Sequence, residues 1–532
     1  DDFEPQETCF THYQAASTAI DVRLASVGGR SSDGALPFFN LEIGDTGVIG
    51  AIGWSGDWAA TFTYSPEGLI RIRAGMQRTH LRLHPGEEIR TPRILLLFWE
   101  NDWLHGQNLL RQFILSHHTP RPNGAVLRGP LCDSAWGDRL DRDQIAQATW
   151  LVEQGLGFEY FWIDADWYGE TPHVETSDTF GTAWYRQVGN WFPKKDAYPN
   201  GLKAVGDALR SLGLGFILWV EPERAARKTR IVHEHPDWVI GPVGENYLFN
   251  LGIPAARAFL TDLLSDIIRE GGVTCLRQDF NVRPAPFWAA ADPPDRVGIS
   301  EIRHIEGLYA LWDDLLARHP GLIIDNCASG GRRIDLETIS RSIALWRSDV
   351  QCYPHFSLTA MQNQTHGLSL WVPLSAGVAT ELTTYAFRSA LSPAMVVPWG
   401  ERGRKDPAGF PIEWARRMIA EFKAVRPYFS GDFYPLVSYS LADDTWVVWQ
   451  FDRPDLGEGM VLFLRRPHSP FLRWAAALRG LAPDAIYDLH FRERNRRERR
   501  SGRDLLERGI VVDLEQAPDS ELVTYRRVER DV

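Results

Sequence analysis

The sequence predicts an α/β fold: a (β/α)8 TIM barrel between an N-terminal antiparallel β region and a C-terminal antiparallel β-sandwich domain. Between about residues 126 and 400, short β-branched or aromatic runs recur, mostly followed by stretches with apolar residues at helical spacing. These runs end in polar residues, as barrel strands do at the rim where active sites are built. An open doubly wound sheet is the rival, but no Gly-rich dinucleotide fingerprint follows the first run.

The elements follow in order. Residues 37 to about 100 alternate apolar runs with turn signals, as antiparallel strands do, and "SHHTPRPNG" at 116–124 links them to the barrel. Barrel strands are expected at 127–136, 158–167, 214–223, 273–281, 322–330, 342–349, more weakly 368–374, and 395–399. Between them, "DRDQIAQATWLVEQG" and "EIRHIEGLYALWDDLLARHPG" read as helices, with Leu308, Trp312, Leu315 and Leu316 on one stripe. A closing helix falls within 405–425. Beyond about 430 the pattern returns to antiparallel strands, interrupted by "HFRERNRRERRSGRD", which reads as a solvated loop. The domains expected are 1–120 (N-terminal, β-rich), 121–425 (barrel) and 426–532 (C-terminal, β).

Composition narrows the function. The formal net charge is −12 and the Arg residues are scattered among acids, which argues against a nucleic-acid partner. No apolar run approaches the roughly 20 residues that span a bilayer. Five widely spaced cysteines suggest neither a disulfide framework nor a zinc ribbon. The opening "DDFEPQ" fits a trimmed, processed or partial chain, so the compartment stays open. The 21 Trp exceed ordinary usage. Indole faces suit sugar rings, although most of these residues are expected in cores.

The stretch "GVTCLRQDFNVRP" puts Arg277, Asp279 and Asn281 on one strand face, and Leu276 and Gln278 on the other. A carboxylate flanked by a cation and an amide donor keeps its charge and is fit to be a nucleophile; an Arg–Asp pair closing the barrel end is the bland alternative. Asp349 in "LWRSDVQ" is the second carboxylate, as a retaining glycosidase requires. Arg347, two residues earlier, would lower the pKa of a group that must hold its proton, so the chain is expected to turn after Trp346 and send the guanidinium elsewhere. In "WIDADWYG", Asp164 and Asp166 share a face beside Trp167 and can accept hydroxyl hydrogen bonds. "LWVEPER" brings Trp219 and Glu221 to the rim. "DNCASGGRRID" brings Cys327, Gly330 and Gly331, whose lack of side chains lets the backbone approach a ligand.

Taken together, "WIDADWYG", "YPNGLKAVGDALRSLGLGFILWVEPER", "HPDW", "RQDFN", "CASGGRRID" and "LWRSD" resemble glycoside hydrolase family 36, the α-galactosidase or melibiase family, in order and approximate spacing. The resemblance runs from about residue 45 to about 400. It implies a retaining exo-α-galactosidase without metal or other cofactor, acting on α-galactosides. Asp279 would be the nucleophile and Asp349 the acid/base, while Asp164, Trp167, Trp219, Arg277, Asn281, Cys327, Gly330 and Trp346 would surround the sugar. The sequence departs from the family where Lys-Trp-Asp becomes Arg277-Gln278-Asp279, and where an Asp-Asp-Gly-Trp pattern becomes Asp164-Ala165-Asp166-Trp167. The region before the barrel is also shorter than the family's.

An α-N-acetylgalactosaminidase or a galactosyl transferase would use the same carboxylates. A carbohydrate-binding protein on a decayed enzyme scaffold is the rival of another class; the presence of both Asp279 and Asp349 counts against it. A metal-dependent hydrolase is weaker still, because the close His pairs, His117–His118 and His233–His235, sit away from the predicted rim. Assembly into a homo-oligomer stays open.

Overall fold

The computed structural model describes residue 10 and residues 21–65, 69–174, 182–352 and 356–528; "DDFEPQ" and Cys9 lie outside them. Two antiparallel sheets open the chain. One orders Arg30–Gly34, Asp21–Val27, Trp58–Tyr64 and Ile70–Met76; the other orders Phe38–Ile43, Thr46–Gly53 and Arg93–Glu100. Trp54 and Trp58 are fully buried where this region meets the helix Ile299–Arg318.

The centre is a seven-stranded parallel sheet in the order Ile323–Asn326, Cys275–Gln278, Gly215–Val220, Tyr160–Ile163, Leu131–Ala135, Ala394–Val396 and Ala376–Val378. Five of the eight expected strands match their runs with tighter limits, and the last expected run overlaps Ala394–Val396. Strands buried on both faces need apolar runs instead of strict alternation, and "YFWI" and "GFILWV" supply them. Helices cover the outside: Leu308, Trp312 and Leu315 of Ile299–Arg318 are fully buried and Leu316 partly so.

Two of the expected central strands need correction. The 368–374 run is not a strand. The helix Leu358–Ser369 occupies its start, with Ser357 accepting from Ala360 N at 3.2 Å as cap, and the strand lies further on at Ala376–Val378. Gln362, Asn363 and Gln364 of this helix are as buried as its apolar residues, so no amphipathic stripe announces it. Residues 342–349 also form no ladder, only isolated bridges: Asp325↔Ile343 and Ala344↔Ser375, both parallel, and Gly330↔Ser348, antiparallel.

After the helix Ile412–Val425, a six-stranded antiparallel sheet orders Asp432–Pro435, Trp446–Arg453, Glu458–Arg465, Asp519–Arg527, Ile486–Phe491 and Arg496–Ser501. The charged run is therefore a hairpin arm, not a loop. Tyr487, Leu489 and Phe491 face the core while the Arg-rich partner forms the sheet edge, where charge discourages pairing with another chain.

Candidate active site

Asp279 follows immediately after the strand Cys275–Gln278. Its backbone N–H still bonds Val220 O at 2.8 Å, so the turn continues the strand direction. Trp219 Nε1 donates to Asp279 Oδ2 at 3.2 Å and Asn281 Nδ2 donates to the same oxygen at 2.9 Å. The N–H groups of Phe280 and Ser329 donate to Oδ1 at 2.7 and 3.2 Å. Burial raises the proton affinity of this carboxyl, but the charge of Arg277 and the donors from Asn281, Cys327 and Phe280 outweigh it, and the pKa falls below the ordinary Asp value.

Asp349 begins the short turn Asp349–Cys352. Burial raises its pKa first and the negative charge of Asp279 second, against pulls from Arg332 and Arg277, and the result is about 7. The two carboxyl groups are thus driven in opposite directions. Arg347 leaves them as expected: its Nη2 donates to Met361 O and Thr365 Oγ1, at 3.2 and 2.8 Å, on the helix Leu358–Ser369.

Trp219, Arg277 and Asp325 are register partners across three adjacent strands. Arg277 Nη1 donates to Asp325 Oδ2 at 2.7 Å, and its guanidinium carbon lies 4.2 Å from the centre of the Trp162 ring. Arg277 Nε stands 3.7 Å from Asp164 Oδ2, and neither atom has a hydrogen-bond partner; Trp162 Nε1 also lacks one. Burial first, against the opposing charge of Arg277, brings the Asp164 pKa up to about 6. Donors and an acceptor left open beside a carboxylate are what a polyhydroxylated ligand can satisfy.

Cys327 Sγ accepts from Gly330 N at 3.2 Å, and Gly331 N donates to Arg347 O at 3.1 Å, lacing this loop to the turn that carries Asp349. Ser329 has a left-handed φ of 51° and Gly330 one of 81°. A Cβ on Gly330 would lie 2.8 Å from Ser348 Cα and 3.0 Å from Asp349 N, so the backbone there needs glycine.

Trp346 packs against Trp136 and Trp162, with ring centres 5.0 and 5.6 Å away. Trp167 sits behind the site, 1% exposed, its Nε1 donating to Trp219 O at 2.8 Å. Asp166 does not share a face with Asp164. The strand ends at Ile163, Asp166 takes a φ of 81°, and its carboxylate meets Thr182 and, at 3.5 Å, Lys194 Nζ. Glu221 accepts from Asn281 N at 2.6 Å and from Arg224 Nε at 2.7 Å. Gln278, on the opposite face from Arg277, donates to Glu223 at 2.8 Å and accepts from Trp312 Nε1 at 2.7 Å.

Sequence reasoning missed the N-terminal hairpin. Arg30, fully buried, donates through Nη1 to Ser329 Oγ at 3.1 Å and through Nη2 to Asp33 at 2.6 Å; Ser329 Oγ donates in turn to Asn281 Oδ1 at 2.9 Å. Ser32 bonds Arg332 O and Gly331 O at 2.9 and 2.6 Å. "GGRSSD" shows only a turn, and nothing local says what it touches. Asp325 was missed as well, although its place two residues before Cys327 on the same strand face is a signal that could have found it. Among the described residues, no group of three or more His, Cys, Asp or Glu side chains is placed to hold a metal ion; His235 stacks on Trp238, ring centres 3.7 Å apart. Nor is any described helix long and apolar enough to cross a membrane.

A parallel α/β sheet thus carries two oppositely tuned carboxyl groups beyond its strand ends, an arrangement of the kind glycoside hydrolases use. Residues 138–380 match the Melibiase family model. A probable α-galactosidase C from Aspergillus terreus is 25% identical over 521 residues, covering 89% of this chain and 64% of that protein. α-Galactosidase AgaA from Geobacillus stearothermophilus is 22% identical over 464 residues, covering 82% and 60%. The chain therefore spans less than two thirds of these relatives. Among solved structures, a variant of AgaA in complex with raffinose superposes with a TM-score of 0.79 at 19% identity, covering 96% of this chain and 72% of that one. The α-galactosidase from Lactobacillus brevis gives 0.80 at 19%, covering 98% and 72%. Over residues 138–380 the chain is thus similar to the melibiase family, and the relatives and solved structures it resembles are α-galactosidases, several of them of glycoside hydrolase family 36.

Proposed function

We propose that the chain is a retaining exo-α-galactosidase that works by double displacement. Asp279 attacks the anomeric carbon as the bond to the leaving oxygen breaks and Asp349 gives that oxygen its proton. Asp349 then takes a proton from water, the water oxygen displaces Asp279, and galactose leaves with its α configuration retained. The observation that carries this reading is the opposed tuning: Asp279 below the ordinary range as nucleophile, Asp349 near 7 as acid.

In this reading Asp164, Arg277 and Trp162 engage sugar hydroxyls, with Asn281, Cys327 and Gly330 completing the pocket around Asp279. Trp219 lines it, and Trp346 and Trp167 support it from behind. Galacto-oligosaccharides are the substrate class, as the raffinose and stachyose in the AgaA complexes support. The parallel sheet closes into a (β/α)8 barrel through the stave 342–345, whose bridges face Asp325 on one side and Ser375 on the other. The chain divides into a β-rich N-terminal domain at 1–120, a barrel at 121–425 and a C-terminal β-sandwich at 426–532.

The test is a panel of p-nitrophenyl α-glycosides of galactose, N-acetylgalactosamine, glucose and a uronic acid, run on wild type, Asp279→Ala and Asp349→Ala. The α-galactoside should be turned over, Asp279→Ala should be inactive, and azide should partly rescue Asp349→Ala. Full activity in Asp279→Ala removes the mechanism; turnover of another sugar alone keeps the mechanism and changes the substrate.

A further inference from the structure

Arg347 precedes Asp349 by two residues and is 1% exposed. Only its Nη2 is bonded within the helix it faces; Nε and Nη1 have no hydrogen-bond partner. Among the described residues no carboxylate pairs with it. Burial alone, uncompensated by an acid, lowers its pKa to about 9.

The surroundings share the imbalance. Gln364, one turn along from Met361, leaves Nε2 unpartnered. Gln351, from the same turn as Asp349, donates to Gln364 Oε1 at 3.1 Å, joining turn and helix in one buried polar group. Its unpartnered atoms are three nitrogen donors, Arg347 Nε and Nη1 and Gln364 Nε2, against one acceptor, Gln351 Oε1. A buried guanidinium without a counter-charge is strongly unfavourable, and a water molecule satisfies donors without cancelling charge.

We propose that Arg347 and the Gln364 amide bind a monatomic halide ion, chloride in ordinary salt, that fastens the turn 347–352 to the helix Leu358–Ser369. The ion balances the buried cation and accepts the spare N–H groups. Its role is positional. By fixing the turn it holds Asp349 in place without touching substrate.

The experiment measures the thermal unfolding midpoint of the full chain while sodium bromide replaces sodium gluconate at constant ionic strength. A saturable rise of about 2 °C is expected, the size that mass action gives for a site filled well above its Kd in a protein this large. Arg347→Met, which exchanges an unpaired buried charge for an apolar chain of similar reach, should fold and lose the response. Gln364→Leu should need more bromide to reach half the rise. Equal wild-type midpoints in bromide and gluconate overturn the proposal, as does a wild-type bromide response in Arg347→Met. If Arg347→Met does not fold, an unchanged bromide curve in Gln364→Leu overturns it instead. The readout is independent of which glycoside is cleaved.

Discussion

The indole of Trp219 donates to the carboxylate of Asp279 across 3.2 Å, and the two residues leave neighbouring strands. In the proposed mechanism one ring therefore both walls the pocket and favours the charged form of Asp279. Trp219→Phe keeps the wall and deletes the donor. The acid limb of kcat/KM should move to higher pH, and kcat should fall by roughly tenfold, the scale of one hydrogen bond to a charged group. A pH–rate profile that loses rate with its acid limb unmoved would contradict this role.

In the proposed mechanism the carboxyl pair sets the pH profile of the wild type. Asp349 must carry a proton to release the leaving group, and its pKa is raised to about 7, so kcat/KM should decline as pH climbs through that value. Asp279 must be ionised, and its pKa is lowered, so the acid limb should lie below the ordinary Asp range. The measured limbs belong to the pair as a unit. An aryl galactoside whose leaving group needs no proton should show a weaker alkaline decline.

Gly330 is predicted to tolerate no side chain. Its Cβ would press on Ser348 and Asp349 backbone atoms, and its φ of 81° is unfavourable for alanine. Gly330→Ala should lower kcat by about a hundredfold, the cost of a displacement near 1 Å at a reacting group. Circular dichroism should show the fold retained.

Glu301 gives a stability prediction. It is buried where the N-terminal sheets meet the helix Ile299–Arg318, accepting from Trp54 Nε1 and Asp57 N at 2.7 and 2.9 Å. Burial raises its pKa to about 8, so between its unfolded value near 4.5 and 8 the folded state holds a proton that the unfolded chain has lost. Stability from this group is full below that window and is lost as pH rises through it, at up to about 1.4 kcal/mol per pH unit. Glu301→Gln keeps an accepting oxygen and cannot ionise. Chemical denaturation between pH 5 and 8 should then show a shallower decline than wild type.

The main strands were legible because buried parallel strands are written as dense apolar runs, and "YFWI" or "GFILWV" has few other readings. Asp279 and Asp349 were legible because each follows such a run or closes one in a polar residue. Legibility failed where neighbours far along the chain decide the outcome. The helix Leu358–Ser369 buries Gln362 and Gln364 as fully as it buries Leu368, so its apolar pattern carries no period. Asp166 was misplaced because strand parity was extended past Ile163, where the backbone turns left-handed. Arg30 lies 299 residues before the serine it touches, a distance over which local spacing says nothing.

That long-range link constrains ancestry and engineering. Ser329 donates an N–H to Asp279 and is itself gripped by a guanidinium from the leading hairpin. The central α/β region is consequently no free-standing cassette: shuffling it onto a foreign amino-terminal partner would sever a tether one step from Asp279. Both pieces must be inherited, or transplanted, as a unit.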